Sequence, residues 1–396
     1  LLNHFDLEQL NLTADPASIT GKLEATVEGM DLDTLSAQML FSELAFQYED
    51  KQEQIKSLLL HANLDNGQNV VRITSDLLDA ELSGQFKYPG ILNVGEQWFN
   101  SFLDSAAPDS LVGNTSDHFE LIFALHRPEI LTMGFIPNLD ELSPFRLDGN
   151  LDNRKASWEL TTTIPFISYL DMSFEELSIT GNTQNKVLNY HIGFQEANIQ
   201  NIAQVQNFNT FGDLENQMLS NTIQIQDEQQ ANRFELKSFL EIFDTQEFRF
   251  TFSSEQLLNY QNWLVSEQNE IKWANDKIAL KDWRFYRNNE SIIIKDLGQE
   301  NLEFQFANFD LALLSDIVKL NSNYLGGILT GDVLASKLLT EPTFSAELDI
   351  DCLMVLNASL GNLNLDAEQN PNQTISATAS LFANGNELII GGEYDL

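Results

Sequence analysis

Apolar and polar residues alternate with a period of two through much of this 396-residue chain. Between Thr343 and Cys352, apolar side chains take every second position, and Ser, Glu or Asp stand between them. Because successive side chains of a β-strand point to opposite faces, this pattern predicts strands with one apolar and one polar face. Such half-solvated strands are typical of antiparallel sheets. We therefore predict a mainly β, antiparallel protein.

Four segments carry the candidate functional surface, because their apolar stripes are among the clearest in the chain. The apolar positions are Phe119, Leu121, Phe123, Leu125, Phe248, Phe250, Phe252, Phe344, Ala346, Leu348, Ile350, Cys352, Ile375, Ala377, Ala379 and Leu381. Periodicity alone leaves two interpretations open. The stripes are either the inner face of an ordinary closed core or the lining of an open groove that binds an apolar ligand.

A recurrent five-residue phrase predicts that the sheet is curved. The phrase runs apolar, then Thr, Ser, Asp or Gly, then Gly, then polar, then usually apolar. Its central glycines are Gly21, Gly84, Gly149, Gly181, Gly331 and Gly392. Glycine inside a strand pattern marks a bulge, a bend or the close approach of another backbone. The spacing of the phrases is too uneven for a solenoid, so we predict a degenerate β-repeat in one elongated, curved sheet.

Helical periodicity is sparse, and it predicts a few short helices. The candidate helices are residues 91–107, 254–265 and 309–320. Soft boundaries divide the chain into three segments. Residues 1–108 form a β segment that ends in the first helix, and residues 109–300 form a central β segment. Residues 301–396 begin with a helix and continue with glycine-containing strands.

Charge narrows the range of partners. The chain has 59 acidic and 21 basic residues, a formal net charge of −38. Nucleic-acid binding depends on Lys and Arg that neutralise phosphates, so we predict no nucleic-acid partner. Docking to an anionic membrane surface is disfavoured for the same reason. With 43% hydrophobic residues, regularly placed, the chain is nevertheless expected to fold rather than to be disordered.

Recognisable catalytic chemistry is absent from the sequence. It contains no nucleophile elbow, phosphate-binding loop, dinucleotide fingerprint or zinc-protease motif. The single cysteine, Cys352, excludes an intramolecular disulfide and a cysteine-rich zinc site. We therefore predict no enzymatic activity, no cofactor and no metal site.

Several phrases resemble the TamB type of the AsmA/TamB superfamily, in particular the large TamB-like proteins of Bacteroidetes. In the C-terminal segment they are Phe309–Ser315, Leu325–Ala335, Glu341–Leu348, Leu360–Gly361 and Ile390–Tyr394, and near the N-terminus they are Ile19–Leu23 and Ile73–Gly84. The resemblance covers roughly residues 1–90 and 305–396. The chain starts with Leu and stops inside a strand-like phrase, so we expect it to be an internal or C-terminal-half fragment of a longer protein.

The resemblance implies a long antiparallel sheet folded like a taco around an apolar groove. It implies a location in the periplasm of a Gram-negative bacterium, with the parent protein anchored in the inner membrane. Its partners would be phospholipid acyl chains, together with an outer-membrane barrel protein reached through regions outside this fragment. Members of the family are implicated in moving phospholipids to the outer membrane and in assembling outer-membrane barrels.

Three functional hypotheses follow for the chain. The first is a bridge-like segment whose apolar groove carries phospholipid between the two membranes, since each exposed CH₂ of an acyl chain costs about 0.8 kcal/mol in water. The second is a scaffold or chaperone-like module for the assembly of outer-membrane β-barrel proteins, which pairs strand edges with clients. The third is a structural or adhesive β-protein whose stripes are ordinary core.

Overall fold

The computed structural model describes most of the chain. The described residues are 1–7, 16–29, 36–48, 51–87, 118–155, 157–184, 187–199, 203–244, 247–274, 277–298, 300–313, 325–337, 343–356, 358–370, 374–383 and 385–395. Strands account for 82% of them and helices for 3%. The prediction of a mainly β protein with a curved antiparallel sheet is confirmed.

The chain divides into two compact units. Unit 1 is Leu1–Gln200 with Asn209–Gln217, and unit 2 is Asn201–Phe208 with Met218–Leu396. Each unit contains its own cluster of buried apolar side chains. The three segments predicted above were drawn from periodicity along the sequence. The division into two units does not test them, so they stay a prediction.

Unit 1 is an antiparallel meander with one insertion. Its strands are β1 (Leu2–Asp6), β2 (Ala17–Glu28), β3 (Ser36–Tyr48), β4 (Lys51–Asp65), β5 (Gln68–Ser75), β6 (Leu78–Gln85), β7 (His118–Leu125), β8 (Leu139–Leu142), β9 (Phe145–Asp152), β10 (Ser157–Tyr169), β11 (Met172–Gln184) and β12 (Val187–Ile199). Sequence neighbours pair except around β8, because β7 pairs directly with β9 and β8 pairs with the end of β10. A π-helical turn at Leu131–Phe135 precedes β8, and a 3₁₀ turn at Asn153–Lys155 follows β9.

Unit 2 is also antiparallel. Strand β13 (Ala203–Glu215) has residues in both units, and the strands that follow are β14 (Met218–Gln226), β15 (Asn232–Asp244), β16 (Glu247–Phe252), β17 (Glu255–Leu258), β18 (Gln261–Val265), β19 (Glu270–Ala274), β20 (Lys277–Lys281), β21 (Trp283–Arg287), β22 (Glu290–Gly298), β23 (Asn301–Asp310), β24 (Leu325–Ser336), β25 (Thr343–Val355), β26 (Ala358–Gln369), β27 (Thr374–Ala383) and β28 (Asn386–Asp395). From β21 to β28 each strand pairs with the next. Between β15 and β21 the strands are short and staggered. There β15 pairs with both β16 and β17, β16 with β19, and β18 with β21.

Two buried amides join the short strands of this staggered region. Gln256 is 2% exposed, and its side chain accepts from the backbone N–H of Lys237 and donates to the Lys237 carbonyl. Asn269 is 3% exposed and makes the same two bonds with the backbone of Phe252. Each side chain therefore takes the place of a strand residue where the regular ladder is broken, which leaves no backbone group of Lys237 or Phe252 unpaired.

The predicted helix at residues 254–265 is wrong. Strands β17 and β18 occupy this stretch, and they form a hairpin in which Leu258 pairs with Gln261. The turn residues Asn259 and Tyr260 have φ values of +49° and +63°. Two consecutive positive φ values are the signature of a type I′ turn, which closes two-residue hairpins. Apolar residues in two four- to five-residue strands had imitated helical spacing.

The other two predicted helices fall largely outside the described residues. Residues 91–107 and residues 314–320 lie there entirely. The prediction of a helix start at Phe309 is wrong, because Phe309 and Asp310 are the last residues of β23. Helical geometry begins at Ala312 and Leu313.

The glycine phrases mark close approach at some positions and not at others. Gly331 has a φ of +137°, and a Cβ there would lie 2.1 Å from the carbonyl oxygen of Glu347. Gly181 lies against the Trp158 ring, which a Cβ would meet at 2.4 Å. At Gly392, in contrast, nothing lies within 4 Å. The phrase therefore identifies strands reliably, whereas the reason for its glycine differs from site to site.

Candidate functional site

Cross-strand pairing in unit 2 aligns apolar residues into continuous rows. One row, here called the leucine row, consists of Phe285, Ile292, Phe306, Gly331, Leu348, Leu365, Ala379 and Ile390. Directly opposed residues of neighbouring strands lie on the same face of a sheet. With strands about 4.8 Å apart, eight strands extend over about 34 Å. The row is therefore about as long as the hydrocarbon core of a bilayer is thick, which is about 30 Å.

A second row runs beside the first. This row, called the alanine row, consists of Trp283, Ile294, Phe304, Val333, Ala346, Ala367, Ala377 and Gly392. Its residues are bulky on β21–β24 and are Ala or Gly on β25–β28. A shorter third row contains Leu329, Ile350, Leu363, Leu381 and Leu388. The rows thus place residues of the two predicted C-terminal stripes side by side on one face.

The end positions of these two stripes lie next to the rows. Phe344 pairs with Ala335, and Ile375 pairs with Tyr394, the latter 69% exposed. Both therefore extend the same face toward one side of the sheet.

Cys352 does not continue the predicted stripe. It lies in a β-bulge, has a φ of +54° and is exposed. Its backbone N–H donates to the side-chain oxygen of Asn362 at 3.0 Å. The extra residue of the bulge shifts the alternation by one, so Leu353, 6% exposed, takes the inward position after Ile350. The prediction that Cys352 lines the apolar face is therefore wrong.

The Phe248, Phe250 and Phe252 stripe belongs to an aromatic cluster that adjoins the rows. The Phe252 ring lies 5.1 Å from Phe285 and 5.4 Å from Trp283, centroid to centroid. Phe250 contacts Phe252 at 5.0 Å. Phe248 stacks on Trp273 at 5.8 Å. Since Phe285 and Trp283 begin the leucine and alanine rows, three of the four predicted stripes share one face of unit 2.

Sequence reasoning missed Trp273, Trp283 and Phe285 as members of this cluster. Trp283 and Phe285 alternate with Arg284 in the same period-two pattern as the stripes, so the pattern itself would have found them. Trp273 alternates with Ile271 across Lys272 in the same way, and its pairing with Phe248 places it in the cluster.

Cover over the rows differs along their length. Leu348, Ile350 and the leucine-row residues of β21–β23 pack against a buried cluster. The buried members are Trp263, Phe309, Leu311, Leu313 and Leu329. Leu365, Ala379 and Ile390 lie outside that cluster, and Leu388 and Ile390 of β28 are 53% and 59% exposed. The leucine row is thus part of a closed core near β21–β25, half-buried on β26 and β27, and exposed on β28.

The fourth predicted stripe belongs to unit 1 and ends in a closed core. Its residues lie on β7 and are Phe119, Leu121, Phe123 and Leu125. Phe119 is partly buried and contacts Phe86 edge to face at 6.1 Å. Leu125 is 1% exposed and belongs to the buried cluster of unit 1.

The polar face of β23–β28 is strongly acidic. A concavity of about 690 Å³ on this side is lined mainly by carboxylates and hydroxyls, with Leu334, Ala346, Ala367, Ala377 and Gly392 between them. The carboxylates and hydroxyls include those of Glu303, Asp332, Ser345, Glu347, Asp366, Glu368, Ser376, Thr378 and Glu393. Among the described residues, no group of three or more His, Cys, Asp or Glu side chains has an arrangement that holds a metal ion.

Ion pairs shift two carboxyl groups on the polar faces. A hydrogen bond from Lys237 is the largest cause that lowers the pKa of Glu235 in unit 2. In unit 1 a hydrogen bond from Arg146 lowers the pKa of Asp148. Opposite charges and hydrogen bonds to the ionised form favour that form. Both groups are structural ion pairs of exposed or partly exposed strand positions rather than parts of a reactive site.

Comparisons with known proteins assign no family. No family model and no solved structure matches the chain. The ribosome maturation factor RimM of Buchnera aphidicola subsp. Acyrthosiphon pisum (strain APS) is 33% identical over 66 residues. These residues are 17% of this chain and 35% of that protein, so the chain spans about a third of the relative it matches. In the described ranges, no helix has the length and apolarity needed to cross a membrane.

Proposed function

We propose that this chain is a bridge-like segment that binds phospholipid acyl chains on the apolar face of unit 2. The observation that carries the proposal is the pair of apolar rows that cross eight strands, half-buried on β26 and β27 and exposed at Ile390 of β28. Removal of an acyl chain from water gains about 0.8 kcal/mol per CH₂, so a continuous apolar lining is what such a ligand requires. Aromatic side chains at the β21 end add large apolar surfaces.

The acidic opposite face supports this function. Its carboxylates keep the sheet hydrated while the apolar face binds lipid, and a formal charge of −38 opposes self-association. On the resemblance to AsmA/TamB proteins, we place the segment in the periplasm of a Gram-negative bacterium. The parent protein would be anchored in the inner membrane and would contact an outer-membrane barrel partner through other regions.

One observation favours a second candidate function, assembly of outer-membrane β-barrel proteins. Strand β28 exposes apolar side chains on both of its faces, with Leu388 at 53%, Ile389 at 61% and Ile390 at 59%. Exposed apolar strands are where other chains add strands to a sheet. In this function β28 would pair with client strands during assembly.

The substitution Leu365→Asp tests the lipid proposal. Leu365 is partly buried in the accessible part of the leucine row, so the carboxylate can reach water and the fold is expected to persist. We expect phospholipid that co-purifies with the chain, measured by mass spectrometry after extraction, to fall by about tenfold or more, since charge opposes acyl burial. The matched control is Asp366→Asn on the opposite face, which should retain lipid. If wild-type protein carries no phospholipid and binds no fluorescent phospholipid, the proposal is wrong.

A further inference from the structure

The connection between β7 and β9 is unusually long for two paired strands. Leu125 of β7 pairs with Phe145 of β9, a geometry that a hairpin loop of two to five residues normally closes. Residues 126–142 are inserted at this point instead. They contain the π-helical turn at Leu131–Phe135 and strand β8. The connection is therefore longer than chain reversal requires.

The insertion lies on the apolar face of unit 1. Its side chains Ile130, Met133, Leu139 and Leu142 are 3%, 6%, 5% and 8% exposed. They pack against apolar residues that seven strands outside the insertion contribute to the same cluster. The strand residues fully buried there include Ala17, Leu44, Phe46, Ile55 and Leu125. The insertion therefore covers side chains of β2, β3, β4 and β7 that would otherwise face outward from the sheet.

An aromatic contact sets the depth of the insertion. Phe135 stacks on Phe46, with ring centroids 5.0 Å apart and planes 26° from parallel. Phe46 is 1% exposed and is among the most deeply buried side chains described in the chain. Stacked aromatic pairs contribute beyond the burial of their area. Phe135 thus covers the Phe46 ring.

Polar contacts hold the insertion at both ends. Arg127 donates to Glu53 at 2.7 Å, to Asp76 at 2.9 Å and to the backbone carbonyl of Gln54 at 3.0 Å. Glu53 and Gln54 lie on β4, and Asp76 lies in the turn between β5 and β6. In the sheet β7 pairs with β6 and β9, so Arg127 reaches beyond its neighbouring strands to β4. At the other end, β8 pairs with β10, with Leu142 opposite Ile167.

We propose that residues 126–142 are an intramolecular plug that keeps acyl chains off the apolar face of unit 1. The inference rests on the proposed function, because it assigns lipid to unit 2 and excludes it from unit 1. A tethered segment has a high effective concentration at its own site, so it outcompetes a free ligand of similar apolar area. Arg127 is the positioning residue of the plug, and Phe135 is the side chain that occupies the acyl position.

Photocrosslinking of the full chain tests the proposal. The probe is a phospholipid with a diazirine in its acyl chain, and crosslinked peptides are mapped by mass spectrometry. In wild-type protein we expect labels on β26–β28 and none above background on the inward residues of β3, β4 and β7. In Arg127→Ala, loss of the partly buried ion pairs should raise labelling of these three strands about fivefold. Phe135→Ala should raise it further.

Arg146→Ala is the matched control, because Arg146 forms its ion pair with Asp148 on the polar face of β9, outside residues 126–142. It should leave the label pattern of wild type unchanged. Equal labelling of the two units in wild-type protein would overturn the plug, and so would unchanged labelling in folded Arg127→Ala and Phe135→Ala variants. Absence of label from both units would instead contradict the proposed lipid function, so the two failures are distinguishable. Circular dichroism melts identify variants that have lost their fold. The label pattern of wild-type protein tests the plug even if both variants unfold.

Discussion

The apolar faces of the two units differ in how far they are covered, although both are built from strands with the same alternation of apolar and polar residues. In unit 1 the face is covered by residues 126–142, and Leu125 and Phe46 are each 1% exposed. In unit 2 the leucine row passes from a covered region to Ile390, which is 59% exposed. Period-two alternation therefore fixes which side of a strand is apolar, and the connections between strands decide whether that side is core or surface.

The largest expected effect distinguishes core from surface directly. Leu125→Asp places a carboxylate in the buried cluster of unit 1, at a position that is 1% exposed and so has almost no access to solvent. An unpaired buried charge costs several kcal/mol, a large part of a stability of about 5–15 kcal/mol. We expect this variant to unfold unit 1, as a lost or strongly lowered melting transition by circular dichroism.

The same Leu→Asp change at Leu365 completes this comparison. Its melting temperature should stay near that of wild type while bound lipid is lost. Leu348 and Ile350 should fall between the two extremes, since they lie in the stripe and also pack against the buried Trp263 cluster. A Leu125→Asp protein as stable as Leu365→Asp would show that the two faces are equally open.

An intermediate effect on stability is expected in unit 2, where the backbone hydrogen-bond ladder is interrupted and buried side-chain amides complete it. Asn269→Leu removes the side chain that bonds to both backbone groups of Phe252. Each buried group left without a partner costs about 1–3 kcal/mol. We therefore expect the free energy of unfolding, measured by urea titration, to fall by about 2–4 kcal/mol. Gln268→Leu, next to Asn269 on the exposed side, is the matched control and should change it by less than about 0.5 kcal/mol.

Local pattern determined which parts of this structure were predictable. The four stripes and the antiparallel class followed from alternation, which depends only on neighbouring residues. The bulge at Cys352 was missed because one residue of positive φ reverses the alternation without changing composition. The hairpin at residues 254–265 was missed because the apolar residues of its two short strands imitate helical spacing. The 126–142 insertion was also missed. Its anchor, Arg127, contacts Glu53 across the fold, and no local pattern reports a partner so distant in sequence.

The smallest expected effect compares the polar faces, which we expect to behave alike in the two units. Glu235 in unit 2 accepts hydrogen bonds from Gln224 at 2.8 Å and Asn232 at 2.6 Å and pairs with Lys237 at 2.6 Å, and its pKa is lowered. A lowered folded-state pKa contributes stability above the unfolded value, here 4.5, and this contribution is lost as the pH falls through the folded value.

The stability difference between wild type and Glu235→Gln should therefore be constant from pH 5 to 7, at about 1 kcal/mol or less, and should shrink below about pH 4.5. Asp148→Asn in unit 1 should follow the same direction with a smaller amplitude, because Asp148 and Arg146 are more exposed. Urea titrations at a series of pH values measure both differences. A difference for Glu235→Gln that grows as the pH falls would mean that burial, which raises a carboxyl pKa, outweighs the bond from Lys237, and that the polar face of unit 2 is less hydrated than that of unit 1.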